Sequence, residues 1–334
     1  MRRAWILVLC GVVLSGIACS RRSTLPAGLS DQQFWALSEA LSEPAGTFAL
    51  SDNLLSNEPA VAENARKLRE AGGVYIGVGP EQNFSYIAGM RPAMAFIIDI
   101  RRENRSLHLL YKALFELSPD RADFVSRLFS RPRPVDLISS AGVEELFAGY
   151  AGVRRSPELL AATRTLVRER LLTGRALRLS QDDLDWIDHV LEAFYEQGPD
   201  IRFWGSSDVD AVQPTYRWLM TAKDMTGRIR SYLASEDDFR FVKELQSKNL
   251  IVPVIGDFGG PAAIRRVGDY VRAHHGEVRA FYGSNVAVYL TTQQTRAFCA
   301  SLATLPAARR ASFVERDGVR SLESKLKACS PKTK

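Results

Sequence analysis

An α/β fold, a mostly parallel sheet interrupted by a large helical insertion, is what this sequence predicts, on three observations. Gly73-Val-Tyr-Ile-Gly77-Val-Gly79-Pro-Glu-Gln-Asn83 reads as an apolar strand that runs into a glycine turn and opens a helix. Met94-Ala-Phe-Ile-Ile-Asp99 reads as a second strand, ending in an acid 20 residues beyond Gly79. Leu250-Ile-Val-Pro253-Val-Ile-Gly256-Asp257 repeats the pattern of an apolar run closed by an acid.

Each element follows from local chemistry. Ser30-Asp31 precedes an amphipathic run, Phe34 to Leu41, which predicts a helix ending before Pro44. Turn-rich Ser51-Asp52-Asn53 and Asn57-Glu58-Pro59 lead into a second helix over 61–70, stopped by Gly72-Gly73. After Asp99 the period changes to that of a helix, with Leu107, Leu110, Tyr111, Leu114 and Phe115 on one face of a crossover helix over 103–117. Arg131-Pro-Arg-Pro134 begins a helical block whose starts are marked by Ser156-Pro157, Ser180-x-x-Asp183 and Ser235-x-x-Asp238. Pro253 has no N–H to give to a ladder, so its strand belongs at a sheet edge. A helix over 261–275, a strand over 277–282, a helix over 291–305 and a last strand at 312–316 complete the reading. The organisation expected is a signal segment over 1–18, a helical lead over 19–72, a sheet core over 73–119 and 249–316, an insertion over 120–248 that caps the crevice, and a tail over 317–334.

In an open parallel sheet the carboxyl ends of the strands line one crevice, so Gly77, Gly79, Asp99, Asp257 and Ser284-Asn285 are brought to one place. These residues resemble the class I S-adenosylmethionine (SAM) dependent methyltransferases, closest to uncharacterised bacterial proteins of that Rossmann-like fold. Tyr75-Ile-Gly77-Val-Gly79 stands where the family has its first motif, Ile98-Asp99 its second-strand acid, Ile255-Gly-Asp257 its third-strand acid, and Tyr282-Gly-Ser-Asn285-Val-Ala-Val-Tyr289 its fourth-strand motif. The resemblance implies a methyltransferase-like strand order and SAM as cofactor. It implies Gly77 and Gly79 at the methionine moiety, Asp99 at the ribose and Asp257 at the adenine, with Glu81, Asn83 and Ser284 completing the cofactor set. Asn285 and Tyr289 face the transferred methyl group as candidate catalytic positions. The chain departs from the pattern at Tyr75, where the family usually has an acid, and at Glu81, where many members have a third glycine. It also lacks the Asn-Pro-Pro-aromatic sequence of amino-group methyltransferases.

Glu81 chooses between ligands: a carboxylate at a helix N-terminus repels the pyrophosphate of NAD and tolerates the sulfonium and amino groups of SAM. Gln82, in place of the last dinucleotide glycine, points the same way. An equal alternative is that Glu81 complements the helix dipole and faces solvent. No metal site is expected, since His274-His275 has no Cys or acid at ligand spacing, and His108 and His189 stand alone on helices. Trp204, Tyr216 and Trp218 are candidates to line a substrate pocket in the insertion, or core residues.

The first residues bear on location. Arg2-Arg3, an uncharged run from Ala4 to Ala18 and Cys19-Ser20 form an export signal too short to span a bilayer. Gly16-Ile-Ala-Cys19 resembles a bacterial lipobox, which implies lipidation of Cys19 and an envelope-anchored protein; ordinary signal-peptidase cleavage is the alternative, and an unused signal would leave the protein in the cytoplasm. Without Arg2 and Arg3 the balance is 42 basic against 38 acidic residues, too mild and too dispersed for a nucleic-acid partner. Cys299 and Cys329 form either a disulfide in an oxidising compartment or two free thiols. The function expected is a SAM-dependent methyltransferase-like protein with a small-molecule substrate. The rivals are a non-catalytic exported lipoprotein that binds an envelope component and, third, an NAD-type oxidoreductase.

Overall fold

Four parallel crossings of the chain build the sheet, and their order decides where a ligand can sit. A computed structural model describes residues 22–48, 52–68, 72–203 and 213–329. The signal segment, Cys19 and Trp204 lie outside the described residues. Strands β1 (Val74–Gly77), β2 (Met94–Asp99), β3 (Ile251–Ile255), β4 (Val278–Ser284), β5 (Ala307–Glu315) and β6 (Gly318–Ser321) form one six-stranded sheet in the order β3-β2-β1-β4-β5-β6. All neighbours are parallel except β6, which returns antiparallel on β5. Direction of travel therefore reverses between β1 and β4, which leaves a crevice outside their carboxyl ends.

The helices are α1 (Asp31–Leu41), α2 (Val61–Lys67), α3 (Gln82–Met90), α4 (Arg102–Leu117), α5 (Arg121–Phe129), α6 (Val143–Tyr150), α7 (Pro157–Glu169), α8 (Gln181–Gln197), α9 (Tyr216–Thr221), α10 (Glu236–Ser247), α11 (Ala263–Ala273), α12 (Thr292–Leu302) and α13 (Leu322–Cys329). Their starts carry the expected caps: Ser30, Ser156, Ser180 and Ser235 each accept from the backbone N–H three residues on. Right-handed crossovers put α3 and α4 on one face of the sheet and α11 and α12 on the other.

Pro253 lies on the edge strand, as its missing N–H requires. The edge is covered by the lead: Ser38 Oγ donates to Pro253 O at 2.5 Å, Ser42 Oγ accepts from Ile255 N–H at 2.9 Å, and Glu43 N–H donates to Ile255 O at 2.8 Å. Covering the edge removes a row of open backbone groups.

Three expectations are corrected by packing. The crossover helix α4 is buried around most of its circumference, including Asn104, Arg105, His108 and Lys112, because the sheet lies on one side of it and α8 and α10 on the other. The described residues of the insertion thicken that helical layer, and of them only Phe203 reaches the crevice. The insertion's aromatic interior is continuous with the core, with the Phe84 ring 5.2 Å from Tyr111 and from Phe115 and 5.5 Å from Tyr232. The segment after 316 is no loose tail: it contributes β6 and α13, and a Cys299–Cys329 disulfide ties α13 to α12.

Candidate functional site

A cavity of about 280 Å³ opens at the carboxyl ends of the strands, on the crevice between β1 and β4. Gly79, Asp99, Asp257, Ser284, Asn285 and Tyr289 all line it, so four strand ends meet there as expected. Gly77, Glu81 and Asn83 do not.

Those three residues build the turn from behind. A Cβ at Gly77 would lie 2.0 Å from Asn83 Oδ1 and 2.7 Å from the Tyr75 hydroxyl, so this position is glycine to admit a neighbouring side chain rather than a ligand. Asn83 donates to the carbonyls of Val78, Gly79 and Pro80 at 2.9, 3.1 and 2.7 Å, and accepts from Tyr75 Oη at 2.8 Å. His108, read from sequence as an isolated helix residue, is buried with Nε2 2.8 Å from Gly79 O. Burial pushes its pKa down to about 4, so the neutral ring donates this bond near neutral pH. Gly79 itself has φ +76°, the conformation for which glycine is needed.

Glu81 is neither exposed nor facing a ligand. It is fully buried and accepts Ser56 N–H on both oxygens, at 3.1 and 3.0 Å. Desolvation, the main cause, pushes its pKa up to about 8 against the bond from Ser56, and the nearby Glu58 adds to the rise. A group kept largely neutral at pH 7 does not repel pyrophosphate, and both sequence readings of Glu81 are corrected on this ground.

Asp99 is 5% exposed. Its Oδ1 accepts Arg101 N–H at 2.9 Å and Arg101 Nε at 3.2 Å, while Oδ2 has no partner among the described residues. Arg101 Nη1 reaches Asp52 O at 2.8 Å, and the buried Nη2 has no partner among the described residues. Asp257 accepts Gly259 N–H at 2.8 Å and Gln294 Nε2 at 3.3 Å. Ser284, at φ +50°, donates to Glu58 Oε1. Asn285 Nδ2 is 3.5 Å from Tyr289 Oη, and the half-exposed Tyr289 ring meets Phe48 edge to face at 5.1 Å.

The wall also takes in residues given no place in the site from sequence, beside Gln82 and Tyr282, which the turn and the fourth-strand motif had named. Thr47, Phe48, Asn53, Ser56, Asn57 and Glu58 of the lead line the cavity, with Gln82, Arg101 and Tyr282. Glu58 is 2% exposed, and burial raises its pKa against the bonds from Ser284 and Tyr282. Its local sequence, a turn-rich stretch before Pro59, carries no signal of a site. Among the described residues of the insertion only Phe203 reaches the cavity; Tyr216 is buried in the core and Trp218 is partly exposed elsewhere.

The family described as a domain of unknown function (DUF7790) matches residues 54–327. That span takes in the cavity wall from Leu54 onward, the sheet, the insertion and β6, and the chain belongs to this family. No curated protein matches the chain. Among the described residues no group of three or more His, Cys, Asp or Glu is placed to hold a metal ion, and no helix is long and apolar enough to cross a membrane.

Proposed function

Starting from a family whose description assigns no chemistry, we propose that this chain binds S-adenosylmethionine, or a ligand of the same build, as a methyltransferase-like protein. One observation carries the reading: Gly79, Asp99, Asp257 and Ser284-Asn285, which come from four strands, share a single cavity. Asp99 Oδ2 is free to accept from a ribose hydroxyl, while Oδ1 is held by Arg101. Asp257 stands at the adenine end and Asn285 and Tyr289 at the reacting end, where positioning of an in-line transfer is the main catalytic contribution. The strand order β3-β2-β1-β4-β5, with its reversal at β1/β4, supports the likeness.

Charge supports it independently of Glu81. Two acids, Asp99 and Asp257, and one arginine, Arg101, face the cavity, beside Glu58, whose pKa burial raises. Such a balance suits a ligand carrying a sulfonium and an ammonium and opposes the pyrophosphate of an NAD-type oxidoreductase. Calorimetry of the purified protein with SAM and S-adenosylhomocysteine tests the reading; absence of heat from both, with the protein folded, removes it.

The sequence of residues 1–19 favours a second reading, a non-catalytic exported lipoprotein that uses the same cavity for an envelope component. SAM is a cytoplasmic metabolite, so catalysis in the envelope needs a supply of it. Mass spectrometry of the mature protein decides the anchor: a diacylated Cys19 at the new N-terminus is expected, and an unmodified Cys19 ends the lipoprotein proposal.

A further inference from the structure

The lead enters the fold at the opposite pole from the cavity. Thr24 N–H donates to His274 O at 2.8 Å, just after α11, and Leu29 N–H donates to Lys248 O at 2.9 Å, just before β3. Asn249 Nδ2 adds bonds to Leu29 O at 2.9 Å and to Asp31 Oδ1 at 2.8 Å. Leu25 sits so close that a Cβ on Gly276 would come within 3.0 Å of its Cδ1. Residues 24–29 are thus fastened beneath the amino ends of β3 and β4, whereas the cavity lies at the carboxyl ends of the strands.

Chain length gives this placement a consequence. Cys19 is five positions before Thr24, at most about 18 Å away even when fully extended. A globule of this chain's length is roughly 50 Å across, and β2 alone, at about 3.3 Å per residue, sets its two ends roughly 17 Å apart. A tether that short, starting from a fastened point, cannot carry an acyl chain around the body to the side on which the cavity opens. Charged side chains around this pole are paired, Arg272 with Asp269, Lys248 with Glu244 and Arg279 with Glu277, so these six set up no strong field of one sign to compete with the tether. Extending the lipoprotein reading of residues 1–19, on which this rests, we propose that the acylated protein lies with the amino ends of its strands toward the bilayer and its cavity open to the aqueous phase. The ligand is then a water-soluble molecule and not a lipid of the anchoring membrane. Asp99, Arg101 and Asp257 on the cavity wall suit such a polar ligand.

Fluorescence quenching in liposomes tests the orientation. The mature protein, purified with its acyl chains, is labelled with a thiol-reactive dye at Ala273→Cys or at Val288→Cys; the Cys299–Cys329 disulfide does not take the dye. Ala273 is exposed at the end of α11, and Val288, 78% exposed, precedes the cavity-lining Tyr289 without lining the cavity itself. Each protein is reconstituted into phosphatidylcholine liposomes that carry a nitroxide on the lipid headgroup. Loss of most of the fluorescence at 273 and none at 288 is the expected result. Equal quenching at the two positions, stronger quenching at 288, or none at either overturns the orientation while the anchor stands. Quenching at 288 would also bring lipids of the anchoring membrane within reach of the cavity. An unmodified Cys19 in protein recovered from cells removes the anchor and the orientation together.

Discussion

The glycine turn over 77–83 and the lead over 43–48 and 52–58 make opposite contributions to the same cavity. The turn looks like a ligand motif, yet two of its polar side chains face away from the cavity: Asn83 fills the space left by Gly77 and holds three carbonyls, and Glu81 is buried against Ser56. The lead looks like a connector, yet it supplies Phe48, Asn53, Ser56, Asn57 and Glu58 to the wall. Its Glu43 accepts the N–H groups of Asp257, Ala262 and Ala263, which caps α11 and steadies the third strand end. A motif can thus specify the backbone of a site while distant chain supplies the groups that touch a ligand.

The division can be broken most severely at Gly77. Gly77→Ala must displace Asn83 and its bonds, and a destabilisation of about 3 kcal/mol or more is expected from denaturant unfolding. A change under about 1 kcal/mol would mean that Gly77 does not serve packing. Asp99→Ala should weaken S-adenosylhomocysteine by about 1.5 to 3 kcal/mol in calorimetry, the worth of a hydrogen bond to a charged group. Unchanged affinity would place the ribose elsewhere.

Glu81 gives a pH signature. Its folded pKa is raised to about 8 from 4.5, so the native state holds the proton more tightly, and stability is greatest below 4.5 and is lost as pH rises through 8. Glu58 acts with the same sign. The depressed His108 acts oppositely between about 4 and 6.5, so the cleaner window runs from pH 6.5 to 8. Across it wild type should lose about 1.5 kcal/mol that Glu81→Gln retains, measured as the pH slope of the denaturant midpoint. Parallel slopes in the two proteins would contradict a buried neutral Glu81. The smallest expected effect is Glu43→Ala, about 0.5 to 2 kcal/mol of stability for a lost helix cap, with loss of affinity following only through Asp257. A larger effect on binding than on stability would move Glu43 into the site.

The sheet was legible because buried parallel strands read as continuous apolar runs, and Pro253 could only sit on an edge. The strand ends were legible for the same reason, since topology brings them together whatever their side chains do. Side-chain direction was not. Gly77 and Gly79 look alike in sequence, but one has φ +76° and the other admits Asn83. Glu81 could not be separated from a surface dipole partner without knowing that Ser56 lies behind it. Glu58 and Arg101 were missed because each acquires its role from contacts to segments remote in sequence, as in the Glu58 to Ser284 bond. The insertion was read as a cap because a helical block between strands has that option; the apolar contacts of Phe84, Phe115 and Tyr232 that turn it toward α3 and α4 are set only by the folded chain.

The central claim, that four strand ends and the lead form one nucleoside-type ligand site, is tested most directly by calorimetric titration of S-adenosylhomocysteine into the wild-type protein and into Asp99→Ala. Saturable binding by wild type, weakened about ten- to a hundredfold by the substitution, is the result predicted. Binding of equal strength to both proteins, or no heat from a folded wild type, would contradict it.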